Sequence, residues 1–167
     1  MMSAADVIQV VDALEANGVA VWVNGGWGVD ALLGEQTRPH DDLDAVISVE
    51  DVELALRTLG EIGFSIMTDE RPQGFVVRDA SDRRVDFHPV RFRVDGSGAQ
   101  PMNDGPDWVY PAEGFSGSGS IGGQTVRCLT AKVQVLAHID YDPDETDRRD
   151  MRLLRDRFGV DLPPSLR

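Results

Sequence analysis

The chain has 167 residues, of which 41% are hydrophobic, and its 16 basic and 29 acidic side chains give a formal net charge of −13. A chain of this length can bury one hydrophobic core, so we predict a single domain over residues 1–167, with C-terminal helices at about 130–158 packed on it. The acidic balance argues against nucleic acid and anionic membranes as partners, and a lone Cys128 with no signal-like start predicts a cytoplasmic protein.

The N-terminal half alternates between helical and strand patterns. Ser3 to Asp6 form a capping-box pattern, and apolar residues recur at helical spacing until Asn17-Gly18. A β-rich run, a short helical pattern and a second apolar run follow, and Ser48 opens another capping pattern. The predicted elements are a helix from residue 3, a strand at 19–23, a helix at 27–33, a strand at 43–48 and a helix from 48 onward.

The C-terminal half predicts strands first and helices last. Strand patterns occupy 64–68, 75–78 and 84–90, with a hairpin turn at 80–83. Segments 95–105 and 114–123 are rich in Gly and polar residues and are predicted to be loops. An edge strand at 124–129, a helix at 130–138, a helix from 146 or 147 to 158 and a tail at 163–164 complete the prediction.

Two aspartates stand at the head of the second predicted strand. Because side chains alternate along a strand, Asp42 and Asp44 project to the same side. Carboxylates held this close repel each other unless a cation neutralises them, and oxygen ligands of this kind suit Mg²⁺. Gly25 and Gly26 precede them in a predicted turn, where backbone amides can approach a phosphate without a side chain in the way. The pattern therefore predicts a metal-dependent nucleotidyl-transfer site.

The same glycines also fit another motif. The segment Gly26 to Ala31 matches the G-x-G-x-x-A fingerprint of dinucleotide-binding folds. The helix after it is stopped by Gly34 and Pro39, which makes it too short for a full parallel crossover. The downstream acids form a cluster and not a single ribose-binding acid, so we predict against a dinucleotide fold.

A third carboxylate lies in a later predicted strand. Apolar residues alternate with Asp86 and His88, so Asp86 points away from the apolar face. If the two strands are neighbours, Asp86 joins Asp42 and Asp44 at a Mg²⁺ ion that bridges the protein to a nucleoside triphosphate. Asp86 then either completes the metal site or takes the proton from an attacking hydroxyl.

Several stretches of the chain carry a resemblance to a known family. Gly25 to Gly34, Gln36 to Arg38 and His40 to Asp44 form its front motif, and Asp86 to Val90 continues it. Further matches are Asp95 to Ser97, Arg127 to Thr130, Gln134, His138, Tyr141 and Glu145 to Asp147. The chain resembles the antibiotic nucleotidyltransferases, above all the small lincosamide nucleotidyltransferases and next the aminoglycoside 2″-nucleotidyltransferases.

This resemblance implies a polymerase-β-like nucleotidyltransferase fold, of α/β (α+β) class, with a mixed sheet flanked by helices. It implies Mg²⁺ on Asp42 and Asp44, Asp86 as third ligand or general base, and nucleotide phosphates against the two glycines. Many nucleotidyltransferases have Gly-Ser at this turn, so phosphate binding here is left to backbone amides, to Arg38 if it swings in, and to the metal. The implied reaction is transfer of AMP from ATP to a hydroxyl of a small-molecule antibiotic.

The acceptor and the assembly are left open by the sequence. Acidic and aromatic side chains between 95 and 123 could flank a cationic amphipathic drug, or they could be solvated loop residues and packing anchors. They are Asp104, Asp107, Trp108, Tyr110, Glu113 and Phe115. The acceptor is a lincosamide, slightly favoured by the C-terminal resemblance, or an aminoglycoside, and a homodimer could share it. The alternative function is a non-catalytic nucleotide-binding or antitoxin-like partner module of the same fold.

Overall fold

The computed structural model describes residues 1–139 and 141–167. Its helices are α1 (Ala4–Ala16), α2 (Gly25–Leu33), α3 (Val52–Glu61), α4 (Ala131–Leu136) and α5 (Glu145–Phe158). Its strands are β1 (Trp22–Asn24), β2 (Asp42–Ser48), β3 (Ser65–Glu70), β4 (Gly74–Arg78), β5 (Arg84–Phe92), β6 (Gly98–Gln100), β7 (Trp108–Tyr110), β8 (Ser118–Ile121) and β9 (Gln124–Arg127). Within the described residues, no helix has the length and apolar character that crossing a membrane requires.

Seven strands form a mixed sheet. Its order is β1-β2-β5-β4-β3, and β6 pairs with the end of β5 while β7 pairs with β6. Strands β2 and β5 run parallel, and the other pairs in this sheet are antiparallel. Strands β8 and β9 form a separate hairpin. The predicted mixed sheet flanked by helices is confirmed.

The alternation along the two central strands decides which face is buried. Leu43 and Ile47 of β2 and Val85 and Phe87 of β5 join the core formed with α1 and α3. These side chains lie on one face of the sheet because they are an even number of residues apart along each strand. The other face carries polar residues near the strand starts, so the sheet presents the polar groups of β2 and β5 together on the side away from that core.

The structure corrects several element predictions. Helix α2 begins at Gly25, so the two glycines form its first turn and not a turn before it. The segments predicted as loops contain β6 and β8, because short strands can form wherever a neighbouring edge supplies hydrogen bonds. The helix expected from Ser48 begins as a 3₁₀ turn at Val49–Asp51. The predicted tail contains a 3₁₀ turn, Pro164–Leu166, with Leu166 buried in a small core with α5.

The strand arrangement also confirms the argument against a dinucleotide fold. That fold requires β1 and β2 to run parallel on either side of the connecting helix. Here β1 pairs with β2 in antiparallel register, with Asn24 opposite Asp44.

Candidate active site

Three aspartates project from the polar face of strands β2 and β5. The parallel register places Asp44 opposite Asp86 and Asp42 opposite Arg84. The structure therefore brings together the carboxylates that the sequence singled out, by the strand pairing on which the prediction depended. Asp44, Asp86 and His88 each supply one possible metal-ligand atom, and these three atoms lie within 4.8 Å of one another.

The negative charges of these acids repel one another. Burial, together with the charges of Asp44, Asp42 and Glu70, raises the pKa of Asp86 to about 6, although His88 opposes the rise. Partial desolvation, with the charges of Asp44 and the neighbouring Asp41, also raises the pKa of Asp42. Repulsion of this kind is relieved by a divalent cation, and carboxylate oxygens are the donors that Mg²⁺ prefers. Asp44 and Asp86 thus fit a site for a divalent cation, and Asp42 lies two residues before Asp44 on the same face of the strand.

His88 is a neighbour of the acids whose role the sequence did not define. Its Nε2 lies 3.4 Å from Oδ1 of Asp44. Burial opposes a charge on the ring, but Asp44, Asp86 and Asp42 outweigh it and raise the pKa of His88. The alternation of β5 placed this ring on the Asp86 face, but no spacing in the sequence linked it to Asp44.

The N-terminus of α2 faces the acids. Gly25 adopts a left-handed φ of +57°, and a Cβ there would overlap Oδ2 of Asp44. A Cβ on Gly26 would overlap the ring of His40 and the guanidinium of Arg38. The absence of side chains lets the first turn of α2 lie directly against the acid cluster. Free N–H groups and the positive end of a helix favour an anion such as phosphate at this position.

A cleft of about 320 Å³ joins these groups. Its floor is the start of β2 and the first turn of α2, and its far wall is built by the C-terminal segments. The lining residues are Asn24, Gly25, Gly26, Arg38, His40, Asp41, Asp42, Asp44, His88, Ala137, His138, Tyr141, Asp147 and Asp150.

Arg38 lines this cleft but is held by a carboxylate. Its Nη2 lies 2.8 Å from Oδ2 of Asp150, and the Asp150 side chain is only 5% exposed. Burial lowers the pKa of Arg38, but the hydrogen bond and charge of Asp150 outweigh it, so the guanidinium stays charged. Asp150 was missed at the sequence level because a single acid in an amphipathic helix carries no signal of its partner.

A buried polar pair supports α2 from below. His40 Nε2 and Asp30 Oδ2 are 2.5 Å apart, and both side chains are at most 3% exposed. Asp30 also accepts hydrogen bonds from the backbone N–H and the hydroxyl of Thr37. The His40 ring packs on Trp27. These contacts fix the loop that leads from α2 to β2, and so set where the aspartates of β2 begin.

A second chamber of about 310 Å³ adjoins the acids through His88 and Asn24, which line both cavities. It is lined by Asn24, Gln73, His88, Gln100, Met102, Trp108, Tyr110 and Ala137. A smaller recess of about 130 Å³ is lined by Asp86 and Glu70 and shares Gln73, His88 and Gln100 with this chamber. We call the larger of the two the aromatic chamber. A molecule in it would lie beside His88, which also contacts Asp44.

The structure separates the six loop residues that the sequence grouped together. Trp108 and Tyr110 line the aromatic chamber. Asp104 and Asp107 are exposed and line none of these cavities. Of the remaining two, Glu113 pairs with Lys132 on the surface, and Phe115 packs edge-on against Trp22.

The known proteins with similar sequences include an antibiotic-resistance protein and a nucleotidyltransferase. A family model described as aminoglycoside-2″-adenylyltransferase matches residues 6–154. A lincosamide resistance protein of Staphylococcus haemolyticus is 29% identical over 150 residues, which cover 90% of this chain and 92% of that protein. A 2″-aminoglycoside nucleotidyltransferase of Klebsiella pneumoniae is 29% identical over 123 residues, which cover 72% of this chain but only 63% of that relative.

Solved structures agree with the fold. The lincomycin-bound crystal structure of the lincosamide antibiotic adenylyltransferase LnuA superposes with a TM-score of 0.79 at 29% identity, covering 89% of this chain and 94% of that one. The crystal structure of ANT(2″)-Ia in complex with adenylyl-2″-tobramycin has a TM-score of 0.73 at 22% identity, covering 93% and 89%. The predicted resemblance to antibiotic nucleotidyltransferases and their polymerase-β-like fold is confirmed.

Proposed function

The chain belongs to the aminoglycoside-2″-adenylyltransferase family, and on this premise we propose that it transfers AMP from ATP to a hydroxyl of a small antibiotic. The observation that carries the proposal is the register of β2 and β5, which sets Asp44 opposite Asp86 beside the first turn of α2. An acid cluster, a helix N-terminus and an adjoining chamber are the three parts that a nucleotidyl transfer needs.

Each part of the site has a task in this reaction. We assign the triphosphate to the first turn of α2, where Gly25 and Gly26 leave the backbone N–H groups accessible. Asp42 and Asp44 would hold Mg²⁺, with Asp86 as a third ligand or as the general base, and the bound ion would supply positive charge against the phosphate oxygens. Arg38 lines the same cleft and adds a fixed charge near the phosphates.

Asp86 is the residue best placed to act as general base. A carboxylate with a pKa of about 6 is ionised at neutral pH, yet it is more basic than an ordinary aspartate. It would accept the proton of the acceptor hydroxyl as that oxygen bonds to the α-phosphorus and the bond to pyrophosphate breaks. Its place in the recess that joins the aromatic chamber is consistent with this task.

We propose a lincosamide-type acceptor in preference to an aminoglycoside. Among the described residues, the aromatic chamber is lined by amides, aromatic rings and Met102, with no carboxylate. A polycation would find no counter-charges there, whereas an amphipathic molecule with one amine could pack on Trp108 and reach Glu70 of the adjoining recess. Similarity over nearly the full length of a lincosamide resistance protein supports the same choice.

The location and partners complete the proposal. We propose a cytoplasmic enzyme, since the reaction draws on ATP, and no nucleic-acid or membrane partner, since the net charge is −13. Whether it forms a homodimer stays a prediction, to be tested by size-exclusion chromatography with light scattering. The non-catalytic alternative remains to be tested too, although an intact acid cluster beside an open cleft supports an enzyme.

The direct experiment is a mass-shift screen. The protein, Mg²⁺ and each of ATP, GTP, CTP and UTP are incubated with lincosamide and aminoglycoside acceptors, and products are read by mass spectrometry and pyrophosphate release. We expect a lincosamide that gains one AMP moiety with ATP. An absence of product with every pair would contradict the enzymatic proposal and favour the non-catalytic module.

A further inference from the structure

A chain of hydrogen bonds runs from the wall of the aromatic chamber to the acid cluster through Tyr110, Gln100, His88 and Asp44. We propose that Gln100 is a positioning residue that makes His88 a proton donor to Asp44, and thereby keeps His88 out of the metal's ligand set. The inference rests on the proposed metal-dependent function and deepens it. It rests on the order of donors and acceptors along these hydrogen bonds.

A hydrogen bond to the backbone of Gln73 fixes the orientation of the Gln100 amide. Gln100 Nε2 lies 2.7 Å from the backbone carbonyl oxygen of Gln73. A carbonyl oxygen only accepts hydrogen bonds, so the amide nitrogen and not the amide oxygen faces it. The remaining Oε1 of Gln100 then accepts from the hydroxyl of Tyr110 at 3.0 Å. Burial raises the pKa of Tyr110, so that hydroxyl keeps its proton and donates.

The second hydrogen of the Gln100 amide faces His88. Gln100 Nε2 lies 3.4 Å from Nδ1 of His88, so a donor meets this ring nitrogen. Nδ1 must therefore be the acceptor, and a neutral imidazole with an acceptor at Nδ1 carries its hydrogen on Nε2. Nε2 is the atom that lies 3.4 Å from Oδ1 of Asp44. The ring thus directs an N–H group at the carboxylate.

The direction of these hydrogen bonds decides whether His88 is a donor to Asp44 or a metal ligand. Its position with Asp44 and Asp86 within 4.8 Å would also suit a metal ligand. A histidine that binds a metal through Nε2 needs a lone pair there and a hydrogen on Nδ1, usually donated to an acceptor. Here Nδ1 meets a donor, so the hydrogen bonds disfavour ligation by His88.

The two oxygens of the Asp44 carboxylate have different neighbours. Oδ1 receives the His88 N–H group, and Oδ2 lies next to Gly25, where a Cβ would overlap it. With His88 excluded, the donors left to a cation are carboxylate oxygens, a set that suits Mg²⁺ better than softer transition metals. Gln100 is only 6% exposed, so solvent does not compete strongly for its hydrogen bonds.

Nitrogen NMR of the metal-free protein tests the tautomer directly. In ¹⁵N-labelled protein at alkaline pH, long-range ¹H–¹⁵N correlations should show His88 with an unprotonated Nδ1 and a protonated Nε2. Adding Mg²⁺ should leave Nε2 protonated. A hydrogen on Nδ1, or a loss of the Nε2 hydrogen when Mg²⁺ binds, would overturn the proposal.

A substitution links the tautomer to Gln100. Gln100→Met keeps a side chain of similar shape and removes the donor, so we expect a mixture of His88 tautomers and a kcat about tenfold lower, with the KM for ATP nearly unchanged. Met102→Leu, in the same chamber but outside the hydrogen-bonded chain, should leave the tautomer as in the wild type. An unchanged tautomer in Gln100→Met would refute the role of Gln100.

The NMR result also stands apart from the proposed function. If Gln100→Met does not fold, the wild-type tautomer and its response to Mg²⁺ still decide the inference. If the mass-shift screen gives no product while the predicted tautomer is observed, the function fails and the hydrogen-bond assignment survives.

Discussion

Asp44 and Asp86 lie directly opposite each other on the adjacent parallel strands β2 and β5. Both side chains leave the same face of the sheet, so the strand pairing itself holds the two carboxylates together. In the absence of a cation this arrangement costs stability, since burial and like charge both oppose ionisation of Asp86.

Asp44→Asn tests the central acid. We expect nucleotidyl transfer to fall about 10³-fold, because the amide removes a charge that balances the cation and weakens stabilisation of the transition state. Pyrophosphate release with a panel of acceptors measures the loss, and circular dichroism should show that the fold is retained. Glu61→Gln removes an exposed carboxylate at the end of α3 and should leave turnover at the wild-type level. Unaltered turnover in Asp44→Asn would defeat the assignment.

The pKa of Asp86 predicts two opposite responses to pH. Folding raises it to about 6, so between about pH 4 and pH 6 the folded metal-free protein holds a proton that the unfolded chain has lost. The free energy of unfolding should therefore fall as pH rises through this window. Asp86→Asn should flatten that slope in urea denaturation. When Asp86 acts as the base and leaves the cation to Asp42 and Asp44, the rate of transfer should instead rise as Asp86 ionises. A rate that is flat from pH 5 to 7 would contradict that role.

Substitutions at two glycines with left-handed backbone distinguish backbone strain from steric overlap. Gly25 has φ +57° and Gly34 has φ +79°, but only at Gly25 would a Cβ meet Asp44, whereas Gly34 faces open space. Gly34→Ala should cost about 1–2 kcal/mol of unfolding free energy and leave kcat nearly unchanged. Gly25→Ala should cost a similar free energy of unfolding, and its Cβ should also displace the Asp44 carboxylate. Its activity should therefore be at least tenfold lower than that of Gly34→Ala. Equal activity in the two variants would remove the close approach from the argument.

Arg38 and Asp150 require a paired test, because Arg38 has both a structural partner and a place in the cleft. Arg38→Met leaves a buried carboxylate without its counter-ion and should destabilise the protein by about 3 kcal/mol. Adding Asp150→Leu should restore most of that stability. If Arg38 also binds phosphate, the double variant keeps a raised KM for ATP. Recovery of both stability and KM would show that Arg38 serves structure alone.

The sequence predicted what short-range periodicity encodes. The positions of Asp42, Asp44 and Asp86 on the sheet followed from alternation along β2 and β5, and the one assumption needed was that the two strands are neighbours. That assumption was correct, because β2 and β5 pair in parallel. The roles of these acids, of Arg38 and of the two glycines stay predictions, as does the single domain.

The parts that were not predicted depend on contacts between distant segments. Asp150 of α5 reaches Arg38, and the Asp30–His40 pair forms beneath α2, without any spacing rule that connects them. The short strand β6 lies in Gly-rich sequence whose own propensity favours a loop. It forms because the end of β5 offers an unpaired edge, and this tertiary effect outweighs local preference.

Trp108 provides the test of the acceptor site. It lines the aromatic chamber, while Val109, the next residue of β7, points to the other face of the strand and is 37% exposed. Trp108→Ala removes the largest apolar wall of the chamber, so the KM for the acceptor should rise by about tenfold to a hundredfold, with the KM for ATP nearly unchanged. Val109→Ala should change neither constant. A larger effect on ATP than on the acceptor would place the nucleotide, and not the drug, in this chamber, and the assignment of the two cavities would have to be exchanged.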